Sequence, residues 1–160
     1  MKKRYEKQVI CEEASFIPAI FSGDGKGKRG FQYNGILFER LVGRHLWSIF
    51  GEQVLSNVWF SYMDKYQGEG VCSTDHLIVD MVGGVVTIVE CKLTHTPTAW
   101  KQLNNLYRPV VERAFPGFKV RGLEVCKNFE RACEYPVKAI LVHGWDDNFE
   151  GFDNVMVYHG

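Results

Sequence analysis

Between residues 34 and 50 the apolar positions Leu37, Leu41, Val42, Leu46, Ile49 and Phe50 recur at steps of three and four. That spacing predicts an amphipathic helix, with Asn34 placed to cap it and Gly51 to end it. The period then changes. Residues 54–62 (Val-Leu-Ser-Asn-Val-Trp-Phe-Ser-Tyr) favour a strand, and a loop is expected through Gly68 and Gly70. Residues 71–80 and 85–92 read as two further strands, joined by Met81-Val82-Gly83-Gly84, where Gly-Gly suits a hairpin that needs positive φ. Pro97 opens a second helix running to about Ala114, with Pro109 predicting a kink or an early stop. The apolar run 137–143 reads as a buried strand and 154–158 as a last one. The order is α-β-β-β-α-β plus an extra β, which predicts an α/β fold with a mixed central sheet flanked by helices.

The 160 residues suit one domain with its own core, 34–143, behind a basic and partly flexible segment, 1–31. That segment ends in Ser22-Gly23-Asp24-Gly25-Lys26-Gly27-Lys28-Arg29-Gly30. It is not a triphosphate-binding loop, because Arg29 follows Gly27-Lys28 where Ser or Thr is needed, and Ser22 replaces the upstream glycine. The cysteines number five, an odd count without metal-ligand spacing, and read as reduced thiols. No apolar run has the length of a signal peptide core or a membrane span, so a soluble, cytoplasmic protein with no membrane partner is expected.

Three charged residues sit where a half-buried sheet should disfavour them. Asp75 interrupts the second of the 54–92 strands, and Glu90 and Lys92 interrupt the end of the third. Strand side chains alternate, so Glu90 and Lys92 share one face while Cys91 points to the other. A tight hairpin brings Asp75 near Glu90. Two carboxylates so placed repel, and a divalent cation relieves the repulsion; oxygen ligands favour Mg²⁺ or Mn²⁺. Thr94 has the parity of Lys92 and is placed to hold a phosphate or a water. A salt-bridge cluster on a sheet edge is the competing reading of the charged trio.

Ser73-Thr74-Asp75-His76-Leu77-Ile78-Val79-Asp80 followed by Glu90-Cys91-Lys92 resembles the PD-(D/E)xK nuclease superfamily, which is restriction-endonuclease-like. The resemblance spans about residues 34–143 and implies an αβββαβ core. Thr74 stands where that pattern usually has proline. Glu39 matches the acidic residue that many members carry on the first helix, and Gln102 the glutamine of the RecB-type branch. That branch spaces glutamine and tyrosine four apart, whereas Tyr107 lies five from Gln102. On an α-helix a five-residue step turns about 140°, which predicts different faces for the two. The resemblance implies that Asp75, Glu90 and the Cys91 backbone carbonyl bind Mg²⁺. It also implies that Lys92 assists the attacking water and that Glu39 completes the shell. Asp75, Glu90, Lys92, Glu39 and Gln102 are the catalytic set so implied, and DNA phosphodiester hydrolysis is the implied activity.

Lys+Arg and Asp+Glu number nineteen each, which disfavours a polybasic coat for nucleic acid. The charges are nonetheless segregated. Residues 1–31 hold seven basic against four acidic residues, 32–97 four against seven, 98–133 seven against three, and 134–160 one against five. Basic flanks thus border an acidic centre. Lys26, Lys28 and Arg29 on the glycine loop are candidate DNA contacts, as are Lys101 and Arg108 on the second helix; Lys119 and Arg121 are expected on or beyond that helix. Ordinary solvated faces are the alternative for each. Within the nuclease class, endonuclease, exonuclease and junction resolvase stand open, with a homodimer possible. A non-catalytic nucleic-acid-binding module on the same fold is the reading from another class.

Overall fold

Phe38, Val42 and Leu46, at four-residue steps, are the buried stripe of the first helix. They settle on Ile78, Val89, Cys91, Leu123 and Val125, which project from three neighbouring strands. The computed structural model describes residues 7–17, 31–94, 101–128, 140–143 and 154–157. In chain order these form β1 (Cys11–Ile17), α1 (Phe31–Phe50), a 3₁₀ turn (Gly51–Gln53), β2 (Val54–Asp64), β3 (Gly68–Asp80) and β4 (Val85–Thr94). A π-helical turn (Leu103–Tyr107), α2 (Arg108–Ala114), β5 (Lys119–Asn128), β6 (Ile140–His143) and β7 (Asn154–Val157) follow. The fold is α/β with one mixed sheet in the order β1-β2-β3-β4-β5-β7-β6. Neighbours are antiparallel from β1 to β4; β5 then lies parallel to β4, reached through the second helical segment, as a parallel crossover requires. Among the described residues no helix is long and apolar enough to cross a membrane.

Alternation along β4 assigns the two faces. Val89 and Cys91 meet α1, while Val86 and Ile88 pack with Leu103, Leu106, Tyr107, Val110 and Val111 of the second helical segment. Glu90 and Lys92 therefore continue the face of Val86 and Ile88. At the hairpin, Gly84 takes φ 67° and Asp80 Oδ1 accepts the Gly83 N–H at 2.8 Å, so the expected Gly-Gly turn is present.

The structure adds to and corrects the sequence reading. β1 lies inside the 1–31 segment, where no strand was expected. The loop expected through Gly68 and Gly70 is a tighter turn at 65–67, because Asp64 Oδ1 accepts the N–H groups of Tyr66 and Gln67 at 2.8 and 2.6 Å. Asp64 Oδ2 takes the Ile10 N–H at 2.8 Å, tying the start of the described chain to this turn. Burial acts against the Asp64 charge, but these three donors outweigh it and hold its pKa below the ordinary carboxylate value. A strand the sequence reading did not recognise, β5, lies parallel to β4, so Lys119 and Arg121 are strand residues. Of the expected strand 137–143, residues 140–143 form β6. The expected helix start at Pro97, and Lys26, Lys28 and Arg29, lie outside the described residues.

Of the kink or early stop expected at Pro109, the stop does not occur, since α2 runs on to Ala114. A proline cannot donate to the carbonyl four residues back, here that of Asn105. The Val9 N–H takes that carbonyl instead, at 2.7 Å, and a π turn precedes the proline.

Candidate functional site

β3 and β4 pair from Asp80↔Val85 only as far as His76↔Val89. Beyond that point β3 continues with β2 to Asp64↔Gly68, while β4 continues with β5 to Thr94↔Asn128. The sheet therefore forks, and Asp75 and Glu90 are the first residues past the last pair. The Asp75 Oδ2 atom accepts the Cys91 N–H at 2.7 Å, substituting for a ladder bond the fork has removed.

A second irregularity lies beside it. Asn57, with φ 51°, sits between the pairs Ser56↔His76 and Val58↔Thr74, opposite Asp75. Cys72 and Leu77, of opposite parity, belong to the same core cluster, so the strand changes face between them. Asn is among the few residues that tolerate the left-handed region, which explains its presence in a strand that disfavours it.

The fork gathers charge. Glu90 is 4% exposed, and its Oε1 lies 3.1 Å from Lys92 Nζ. The structure thus joins Glu90 and Lys92 on one face as alternation required. Burial, partly offset by Lys92 and reinforced by Glu39 and Glu124, pushes the Glu90 pKa up to about 7. Burial, then Glu90 and Glu39, push Asp75 well above its ordinary value. Burial works against the Lys92 charge, but Glu90, Asp75 and Glu124 outweigh it and raise its pKa. The Cys91 thiol, packed with α1, is pushed well up by burial and then by these carboxylates, which disfavours its thiolate. Glu39 on α1 acts electrostatically on Asp75, Glu90 and Cys91, raising all three.

Glu124 was not among the sequence candidates. It is fully buried on β5 in register with Glu90, and parallel register puts the two side chains on one face. Its signal was a lone acid inside an unrecognised strand.

The second helical segment supplies two more groups. Arg108 donates its N–H to the Leu103 carbonyl, a five-residue step that marks a π turn. A π turn closes one residue later than an α turn, so residues five apart stack as residues four apart do on an α-helix. The different faces expected for Gln102 and Tyr107 are thereby corrected to one. Tyr107 is buried in the core, and its phenol is raised by burial first and then by Glu90 and Asp75. Gln102 Oε1 is buried without a hydrogen-bond partner among the described residues, as are Glu90 Oε2 and Thr74 Oγ1.

Among the described residues no three His, Cys, Asp or Glu side chains stand together as a ready-made metal cage. Two raised carboxylates beside an unpartnered Glu90 oxygen fit a different provision. Mg²⁺ is commonly held by one or two carboxylates with water completing its octahedron. Cys91 follows Glu90 in the chain, and Glu39 acts electrostatically on both Asp75 and Glu90. Lys101 is exposed, and Arg108 is bound to Glu112 at 2.8 Å along its own helix. Thr94 ends β4. No protein-family model, curated protein or solved structure matches the chain.

Proposed function

We propose that this chain is a Mg²⁺-dependent nuclease that hydrolyses DNA phosphodiester bonds. The single observation that carries the reading is the fork, with Asp75 and Glu90 at its branch point and Lys92 3.1 Å from Glu90. Two buried carboxylates with raised pKa values make a site deficient in positive charge, and resemblance to the PD-(D/E)xK superfamily and its restriction-endonuclease-like fold names the chemistry. When bound, Mg²⁺ (or Mn²⁺) supplies charge to the scissile phosphate and acidity to water. Asp75, Glu90 and the Cys91 carbonyl hold it, with Glu39 closing the shell. Lys92, kept protonated by its carboxylate neighbours, orients the attacking water or stabilises the charge that grows on phosphate. Gln102 and Tyr107, stacked by the π turn, are the further carboxamide and hydroxyl of this reading.

Lys101 on the helical segment and Lys26, Lys28 and Arg29 before α1 serve as phosphate contacts, with Arg108 once it leaves Glu112. Thr94, two residues beyond Lys92 at the end of β4, is a further candidate contact. Incubation with Mg²⁺ or Mn²⁺ and single-stranded, duplex, flapped and four-way-junction DNAs tests the activity and separates exonuclease, endonuclease and resolvase. Calorimetry with Mg²⁺ alone separates the enzyme from a non-catalytic binding module, which takes up no ion. Sedimentation with and without DNA distinguishes monomer from homodimer.

A further inference from the structure

His76 neighbours Asp75 and projects toward α1. It is 3% exposed, and both ring nitrogens are engaged. Nε2 lies 2.8 Å from the backbone carbonyl of Glu39, and Nδ1 lies 2.8 Å from Ser56 Oγ on β2. A carbonyl only accepts, so Nε2 carries the proton; Nδ1 is then the acceptor and the Ser56 hydroxyl the donor. A mid-helix carbonyl has a second lone pair free for such a bond while the helix remains intact. The approach is close. A Cβ placed on Gly43, one turn after Glu39, would lie 2.6 Å from His76 Cε1, so only glycine admits the ring there.

We propose that His76 is a positioning residue that sets α1 against β3 so that Glu39 reaches the fork. This rests on the reading of the fork as a Mg²⁺ site. The bond is to Glu39 itself, so sliding or rotating α1 to break it moves the acid away from Asp75 and Glu90. Ser56 fixes the ring from the second strand, and Gly43 fixes the depth at which the helix sits. A plain packing role explains burial but not two polar bonds, one of them ending on the residue that serves the site.

Calorimetric titration with Mg²⁺ alone tests this, with urea unfolding alongside. His76→Leu is expected to weaken Mg²⁺ binding about tenfold, the scale of losing a group that orients a ligand. His76→Gln keeps an N–H donor for the Glu39 carbonyl and is expected to bind within about twofold of wild type on that scale. In a Glu39→Gln background His76→Leu is expected to add less than about twofold, because its effect runs through Glu39. Gly43→Ala, with His76 intact, is expected to weaken binding in the same direction, and it decides the matter if His76→Leu does not fold. Equal losses from His76→Leu in both backgrounds, or His76→Gln as impaired as His76→Leu, would overturn the positioning role alone. A wild-type protein that binds no Mg²⁺ overturns the reading of the fork, and the positioning role with it.

Discussion

Replacing Glu90 by Gln should stabilise the metal-free protein as the pH rises. Glu90 is 4% exposed and its pKa moves from 4.5 to about 7 on folding, chiefly through burial. An acid with a raised folded pKa binds protons more tightly when folded. Its protonated form therefore supports the fold fully below pH 4.5, and that support is lost as the pH climbs through 7. A shift of this size corresponds to about 3 kcal/mol at 1.36 kcal/mol per unit, an upper bound given the coupling to Asp75. Gln does not titrate. It keeps the shape and leaves Lys92 beside Asp75 and Glu124. The assay is urea unfolding of both proteins in EDTA from pH 4.5 to 8.5. The difference in unfolding free energy should move toward Glu90→Gln by about 1–3 kcal/mol across that range, whatever its sign at pH 4.5. Saturating Mg²⁺ should reverse the gain, because the ion stabilises only the carboxylate form. A difference that stays flat with pH would refute the placement of Glu90 as a buried, charge-starved acid.

The proton on Glu90 competes with the ion, so Mg²⁺ affinity should rise by up to about tenfold per pH unit below 7, and more steeply wherever Asp75 also gives up a proton; calorimetry at pH 6, 7 and 8 checks this. Asn57→Gly should cost little, whereas Asn57→Val should cost about 1–2 kcal/mol in urea unfolding, because a β-branched residue resists φ 51°. Deleting Asn104 should convert the π turn to an α turn, leaving Gln102 and Tyr107 stacked and Asn105 still four residues before Pro109. The deleted protein should retain its fold and Mg²⁺ binding, with less than about 1 kcal/mol lost. Loss of folding on deletion would show that the extra residue does not merely lengthen one turn.

The sequence carried the elements whose burial is one-sided. α1 was legible because Val42 and Leu46 repeat a helical step, and β3 and β4 because a Gly-Gly turn separates apolar strands. Asp75, Glu90 and Lys92 stood out because charge was unexpected there. β1 was not legible: it is an edge strand carrying Glu12 and Glu13, with a bulge between Cys11 and Glu13 that breaks its alternation. β5 is buried on both faces from Gly122 to Cys126, yet Lys119, Arg121 and Glu124 made it read as a polar stretch. Glu124 was hidden with it. The π turn and the left-handed Asn57 are responses to tertiary packing and leave no periodic trace. The partnership of His76 with the Glu39 carbonyl, which is backbone on one side, is likewise invisible to residue patterns.

The most direct test of the central claim is Mg²⁺-dependent cleavage of labelled single-stranded, duplex, flapped and four-way-junction DNA. Wild type should be compared with Asp75→Ala, Glu90→Ala and Lys92→Ala, each shown by circular dichroism to be folded. The expected result is cleavage of at least one substrate by wild type, suppressed by EDTA and abolished in all three variants. Undiminished cleavage by Glu90→Ala, or no cleavage by wild type with either Mg²⁺ or Mn²⁺, would contradict it.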